Sequence, residues 1–83
     1  MANKVIDFPQ YRKLSNDKVF YRINSDRDFD EIQLIGTKAQ WFTTKAQQYP
    51  EILRIMEMLE EDSNVYLLSS QDEFNQLLNN YSL

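Results

Sequence analysis

Alternating acids in one stretch of the chain have the spacing of the first ligands of a calcium-binding loop. Asp26, Asp28 and Asp30 could converge carboxylate oxygens on one hard cation. Two further positions depart from that pattern, because Glu31 stands where the loop needs a glycine and Thr37 where it needs a bidentate glutamate. We therefore interpret the segment as a solvated loop and predict no metal site.

The residues that most enzymes use are missing from this chain. It has no histidine, no cysteine and a single glycine, Gly36. The commonest general base and metal ligand is therefore absent, as are thiolate nucleophiles and disulfides. One glycine cannot build the glycine-rich loops that bind nucleotide phosphates. The sequence predicts a protein that is not an enzyme, with no catalytic residue and no cofactor.

A second acidic cluster lies at the end of a predicted helix and consists of Glu57, Glu60, Glu61 and Asp62. Negative charge is unfavourable there, because the backbone dipole makes a helix C-terminus negative. Two interpretations follow. Lys or Arg residues from the N-terminal segment cover these acids, or the acids form a docking patch for a basic partner.

Charge is unevenly distributed along the chain. Residues 1–27 carry six bases and three acids, whereas residues 28–83 carry three bases and ten acids, for a net charge of −4. One predicted strand face could bind single-stranded nucleic acid, with Lys18 and Arg22 on phosphates and the Phe20 ring stacked on a base. The net negative charge and the lack of a nucleic-acid-binding motif argue against it.

Aromatic residues make up 13% of the chain, more than one face of a small sheet needs to bury. Trp41 and Phe42 are the candidate partner-binding residues in this set, because aromatic side chains are enriched at the cores of protein interfaces. We expect a protein partner of unknown identity and a homo-oligomer that forms through this strand face.

Hydrophobic periodicity predicts an α+β fold. Period-2 runs of β-branched and aromatic residues predict strands, and apolar residues at i, i+3, i+4 and i+7 predict helices. The predicted strands are 18–24, 31–34, 40–44 and 64–69, and the predicted helices are 51–62 and 70–81. The order β-β-β-α-β-α predicts an antiparallel sheet of three to four strands with both helices on one face. Residues 1–17 are predicted to be a lead-in arm, and 18–83 a single domain.

The segment 25–36 has a second interpretation, as a helix. Ser25 and Asp28 have capping-box spacing, although Leu34 falls off the face that the other apolar residues would share. A helix at this place would make the fold an alternating β-α-β-α-β-α type. The position of Leu34 favours the strand.

Both predicted helices have clear start signals. Pro50 suits the first position of the first helix, and Ser70 with Glu73 forms a capping box for the second. The core stripe of the first helix is predicted to be Ile52, Ile55, Met56 and Leu59, widened by Leu53.

These features predict a small protein-interaction or regulatory domain that is cytoplasmic and makes no membrane contact, since it lacks cysteine, a signal peptide and any long apolar run. The alternative is an acidic inhibitor of a host protein's basic groove, of the kind phages and mobile elements encode, which mimics nucleic acid. A third hypothesis is a weak binder of single-stranded nucleic acid.

Overall fold

Alternating apolar residues in the first half of the chain form a run of antiparallel hairpins. The computed structural model describes residues 7–60 and 63–82. Its strands and helices are β1 (Gln10–Leu14), β2 (Val19–Ser25), β3 (Asp28–Ile35), β4 (Lys38–Lys45), α1 (Tyr49–Leu59), β5 (Tyr66–Leu68) and α2 (Gln71–Asn80). The strands form one sheet in the order β4-β3-β2-β1-β5, and all neighbours are antiparallel. The predicted α+β class and antiparallel sheet are confirmed, with five strands rather than three to four and the order β-β-β-β-α-β-α.

The additional strand is β1, which lies in the segment predicted to be a lead-in arm. Its sequence, Gln-Tyr-Arg-Lys-Leu, has no β-branched residue, so the local pattern gives little sign of a strand. It is held from both sides, because Tyr11 pairs with Arg22 of β2 and Lys13 pairs with Leu67 of β5. Its neighbours in the sheet, rather than its own propensity, make it a strand.

The segment 25–36 contains β3, so the strand interpretation is confirmed and the alternating β-α fold is wrong. The strand starts at Asp28, earlier than predicted, and its register pairs Ile23 with Phe29 and Phe20 with Ile32. Ser25 and Asp28, the would-be helix cap, instead form a side-chain hydrogen bond across the β2–β3 turn. As a strand, this segment directs Phe29 into one core cluster and Ile32 into the other, on opposite faces of the sheet.

The start signals of both helices are confirmed. Pro50 is the second residue of α1, one position later than predicted, and still lies in the first turn, where its missing N–H costs no hydrogen bond. Ser70 caps α2, since its Oγ accepts a hydrogen bond from the backbone N–H of Glu73 at 3.1 Å. Within residues 7–60 and 63–82, no helix has the length and apolar character needed to cross a membrane.

The two helices pack on opposite faces of the sheet, and the prediction that both share one face is wrong. Ile55 and Met58 of α1 pack against the face that carries Tyr21. Phe74 of α2 packs on the other face, against Phe20 and Ile32. Strand alternation sends adjacent residues of β2 to opposite faces. Both faces are apolar, so each needs its own helix.

Candidate protein-interaction surface

The C-terminal end of α1 is held by an arginine from β1. Arg12, which is only 5% exposed, donates a hydrogen bond from Nε to the carbonyl oxygen of Met58 at 2.8 Å. Its Nη1 donates to the carbonyl oxygen of Tyr11 at 2.8 Å. A cation beside the last carbonyls of a helix stabilises the negative end of the helix dipole. One base from the N-terminal segment therefore does reach this helix end, as one of the two sequence interpretations expects.

Glu57 and Glu60, at the same end of α1, remain exposed, and neither forms an ion pair within the described part of the chain. Two other N-terminal bases are engaged elsewhere. Lys13 Nζ lies 2.9 Å from Asp17 and 3.5 Å from Glu73, and the hydrogen bond to Asp17 is the main cause that raises the pKa of Lys13. Arg22 pairs with Asp30, as described below. Glu61 and Asp62, the other two members of the predicted acidic cluster, lie outside the described residues.

The two glutamates line a pocket of about 430 Å³ at the end of α1. Its lining residues are Glu57, Glu60, Ser63, Val65 and Tyr66. Ser63 shapes the wall, because its Oγ accepts hydrogen bonds from the backbone N–H groups of Val65 at 3.1 Å and Tyr66 at 3.0 Å. Two carboxylates beside an apolar wall suit a Lys or Arg side chain, whose stem packs on carbon while its head meets the charge.

The side of α1 that faces away from the sheet is also apolar. Tyr49 is 71% exposed, Leu53 38% and Met56 57%. At about 100° per residue these three positions and Glu57 point to one side of the helix, and Glu60 follows as its C-cap residue. We call these five residues the outer face of α1. Its N-terminal two turns are apolar and its C-terminal turn is acidic.

The phase predicted for α1 is therefore partly wrong. Met56, placed in the core stripe by the sequence, is exposed, whereas Met58 is fully buried at 0%. Leu53 also lies outside the core. The residues of α1 that pack in the core are Ile52, Ile55, Met58 and Leu59. The signal for an outer face was present in the sequence, since α1 has more apolar residues than one stripe can hold.

Trp41 and Phe42 do not share a strand face, because adjacent residues of β4 point to opposite sides of the sheet. The Trp41 ring packs edge-on against Phe74 of α2, with centroids 6.1 Å apart and an interplanar angle of 81°. Phe42 pairs with Glu31 on the α1 side and is 43% exposed. Both belong to β4, which is an edge strand.

The candidate nucleic-acid residues lie mostly beneath α2. Phe20 is 6% exposed, so its ring is not available to stack on a base while α2 is docked. Arg22 donates from Nε and Nη2 to Asp30 Oδ2 at 3.1 and 2.7 Å. Its guanidinium carbon lies 5.4 Å from the Trp41 ring centroid and 5.1 Å from that of Phe74. Of the three candidate nucleic-acid residues, Lys18 alone is exposed.

Asp30 is the centre of a buried polar network on the α2 side. Besides Arg22, it accepts hydrogen bonds from Asn24 Nδ2 at 3.0 Å and Thr43 Oγ1 at 2.8 Å. Burial by itself raises the pKa of this carboxyl, but the hydrogen bonds from Asn24, Arg22 and Thr43 outweigh it and hold the pKa below its usual 3.8. The next residue, Glu31, points to the α1 side and pairs with Arg54 at 3.3 Å. Asp30 and Glu31 thus each anchor one arginine, on opposite sheet faces.

The interpretation of the alternating acids as a solvated loop is wrong, because Asp28 and Asp30 belong to β3 and Asp30 is buried, and only Asp26 lies in the β2–β3 turn. Across the described residues, no group of three or more acids is arranged to hold a metal ion. In comparisons with protein-family models, curated proteins and solved structures, the chain matches none.

Proposed function

We propose that this domain is a non-enzymatic protein-interaction module, and that the outer face of α1 with its adjoining pocket is the docking surface. The exposure of Tyr49, Leu53 and Met56 carries the proposal. A helix that is apolar on both sides is normally covered on both sides. Contiguous exposed apolar residues rimmed by charge are typical of protein-binding sites.

The charge of this surface supports a basic partner. Glu57 and Glu60 have no ion-pair partner within the described ranges, and they stand next to a pocket of about 430 Å³. The partner that fits is an amphipathic segment with apolar anchors along its length and Lys or Arg at the end that meets Glu57. Apolar contacts supply affinity here, and the charges set orientation and association rate.

The distribution of acids supports this module over an acidic mimic of nucleic acid. Glu57 lies on the α1 side of the sheet, whereas Glu73 lies on the α2 side and bonds Lys13. Asp30 and Glu31 are each paired with an arginine. A mimic needs a dense one-sided array of unpaired charge, in order to resemble a phosphate backbone. We place the module in the cytoplasm, in keeping with a chain that lacks cysteine.

Binding to a designed peptide tests the proposal directly. The probe is a labelled synthetic helix with leucines along one face and lysines at one end, and its control carries glutamates in place of the lysines. We expect fluorescence anisotropy to show tighter binding of the lysine peptide than of the glutamate peptide. Added salt should reduce this difference in affinity, because it screens the charges. The double variant Tyr49→Ser/Met56→Gln should weaken binding by roughly tenfold or more.

Charge variants locate the site. Glu57→Gln with Glu60→Gln should lower the affinity for the lysine peptide and leave the glutamate peptide unaffected or better bound. Asp26→Asn is the matched control, since it removes an exposed acid from the β2–β3 turn and should change nothing. Equal binding of both peptides, or an equal loss with Asp26→Asn, would contradict a docking surface on α1.

A further inference from the structure

The strand β4 forms one edge of the sheet and offers a free row of backbone groups. It pairs with β3 in unbroken register from Asp28↔Lys45 to Ile35↔Lys38. The backbone N–H of Ala46 donates to the carbonyl oxygen of Arg27. In an antiparallel ladder every second residue points its backbone groups at the neighbouring strand, so the even-numbered residues of β4 face β3. The N–H and C=O groups of Trp41 and Thr43 therefore point away from β3, to the side where no strand of the described chain lies.

The middle of this edge carries none of the features that keep edge strands from pairing. Such features are charged side chains, proline, a bulge or a very short strand. β4 is eight residues long, and its only charges are Lys38 and Lys45 at its two ends. Its register with β3 shows no bulge. The opposite edge differs, because β5 spans only Tyr66–Leu68.

The positions of the two lysines are compatible with a second copy of the same strand. When two β4 strands run antiparallel about a twofold axis at Phe42, Lys45 faces Ala39 of the partner subunit, and no lysine faces a lysine. In this register the outward backbone groups of Trp41 meet those of Thr43 of the partner subunit, as an antiparallel ladder requires. The charge pattern of β4 thus fits its own copy.

Phe42 selects this register over its neighbours. A shift by one residue would turn the backbone groups of one strand away from the other. A shift that places Trp41 on the axis would leave the Phe42 ring opposite a glutamine. With Phe42 on the axis, two rings that are each 43% exposed in the single chain meet in a non-hydrogen-bonded pair, where opposed side chains are closest.

We propose that two copies of this chain associate through antiparallel pairing of their β4 strands about Phe42, which joins the two sheets into one. The interface is small, because strand pairing covers less surface than a standard protein–protein interface. The dimer is therefore weak, with a Kd of roughly 1–100 µM. The outer face of α1 takes no part, so this inference stands or falls independently of the proposed function.

Complementary charge variants test both the dimer and its register. Phe42→Lys and Phe42→Glu should each weaken self-association by at least about tenfold, since like charges then face each other across the axis. An equimolar mixture of the two variants should recover dimers that contain one of each. Sedimentation velocity from about 0.3 µM to about 1 mM, a range that brackets the expected Kd, measures the mass. Native mass spectrometry identifies the mixed dimer.

Gln40→Lys and Gln40→Glu are the matched controls. Gln40 is exposed on the same side of β4 as Phe42, but in the proposed register it faces Thr44 of the partner subunit rather than its own copy. These controls should change the Kd by less than about threefold, as expected for a lone charge away from the axis, and their mixture should show no preference for mixed dimers. Circular dichroism confirms that each variant is folded.

Three results would overturn the inference. One is a wild-type protein that stays monomeric at about 1 mM, above the expected Kd. The second is a dimer that Phe42→Lys leaves intact, which would mean another interface. The third is a mixture of folded Phe42→Lys and Phe42→Glu proteins that remains monomeric, which would mean that Phe42 does not lie on the axis.

Discussion

Removing the charge of Asp30 tests whether the buried network on the α2 side stabilises the fold. The substitution Asp30→Asn keeps the shape of the side chain but replaces one acceptor oxygen with an amide that can only donate. Asp30 is 5% exposed and accepts hydrogen bonds from Arg22, Asn24 and Thr43. In the variant, Arg22 loses its carboxylate partner while it stays between the Trp41 and Phe74 rings.

The expected loss follows from the burial of the pair. Removing one partner of a fully buried ion pair costs about 3–5 kcal/mol. The side chain of Arg22 is 27% exposed, and water can therefore solvate part of its charge. We expect Asp30→Asn to lower the free energy of unfolding by about 2–3 kcal/mol at pH 7, which corresponds to a fall in Tm of about 10–20 °C for a domain of this size.

The pH dependence gives a second, independent readout. The pKa of Asp30 is lowered in the folded state, so its charge stabilises the fold at pH values above the unfolded pKa. That contribution is lost as the pH falls through the folded pKa. The difference in unfolding free energy between wild type and Asp30→Asn should therefore be largest near neutral pH and should shrink below about pH 4.

Urea unfolding measures the loss of unfolding free energy at each pH. The transition is followed by circular dichroism and by the fluorescence of Trp41, the single tryptophan of the chain. Asp26→Asn is the control, because this exposed acid should change the unfolding free energy by no more than about 0.5 kcal/mol. A loss below about 1 kcal/mol for Asp30→Asn would refute the argument from burial. A difference that stays constant as the pH falls would refute the argument from charge.

Three further predictions concern single elements and can be measured by the same urea unfolding. Met58→Ala should lower the free energy of unfolding by about 2–5 kcal/mol, whereas Met56→Ala should change it by less than about 0.5 kcal/mol, because Met58 is buried and Met56 is exposed. Equal losses would contradict the assignment of Met58, rather than Met56, to the core side of α1. Ser70→Ala should cost about 1 kcal/mol through loss of the cap on α2, and Ser70→Gly clearly less. Gly36→Ala should lower the free energy of unfolding by about 1–2 kcal/mol, because φ is +61°, a conformation that alanine disfavours. A Cβ there would meet no atom within 4 Å, so no steric clash adds to this cost. Gly36→Asn should cost less, and an unaffected alanine variant would refute a strained turn.

Local signals in the sequence were sufficient for several elements. Pro50 and Ser70 mark the starts of the two helices, because the chemistry of a helix start involves only the first turn. The alternation in β2 likewise predicts a strand without reference to its neighbours. The two glutamates of the described acidic end were also identified from sequence, since charge at a helix terminus can be judged locally.

Contacts between distant residues decided the rest. β1 has weak strand propensity and is a strand because β2 and β5 hold it. The choice between Met56 and Met58 for the core depends on how α1 lies on the sheet, which the helical repeat alone does not fix. Arg12 reaches the carbonyl of Met58 only because β1 is in the sheet, and nothing in the local pattern indicates this.

The sequence by itself determined what chemistry the chain can offer. It has no histidine or cysteine, and the charges and rings available for contact follow from composition. Only the tertiary structure decided which of these groups are exposed. Strand alternation places Trp41 and Phe42 on opposite faces of the sheet. The second helix covers Phe20, whereas Tyr49 and Met56 lie on the solvent side of the first helix. The physical reason is that residue type sets what a side chain can bind, whereas burial depends on partners far away in the chain.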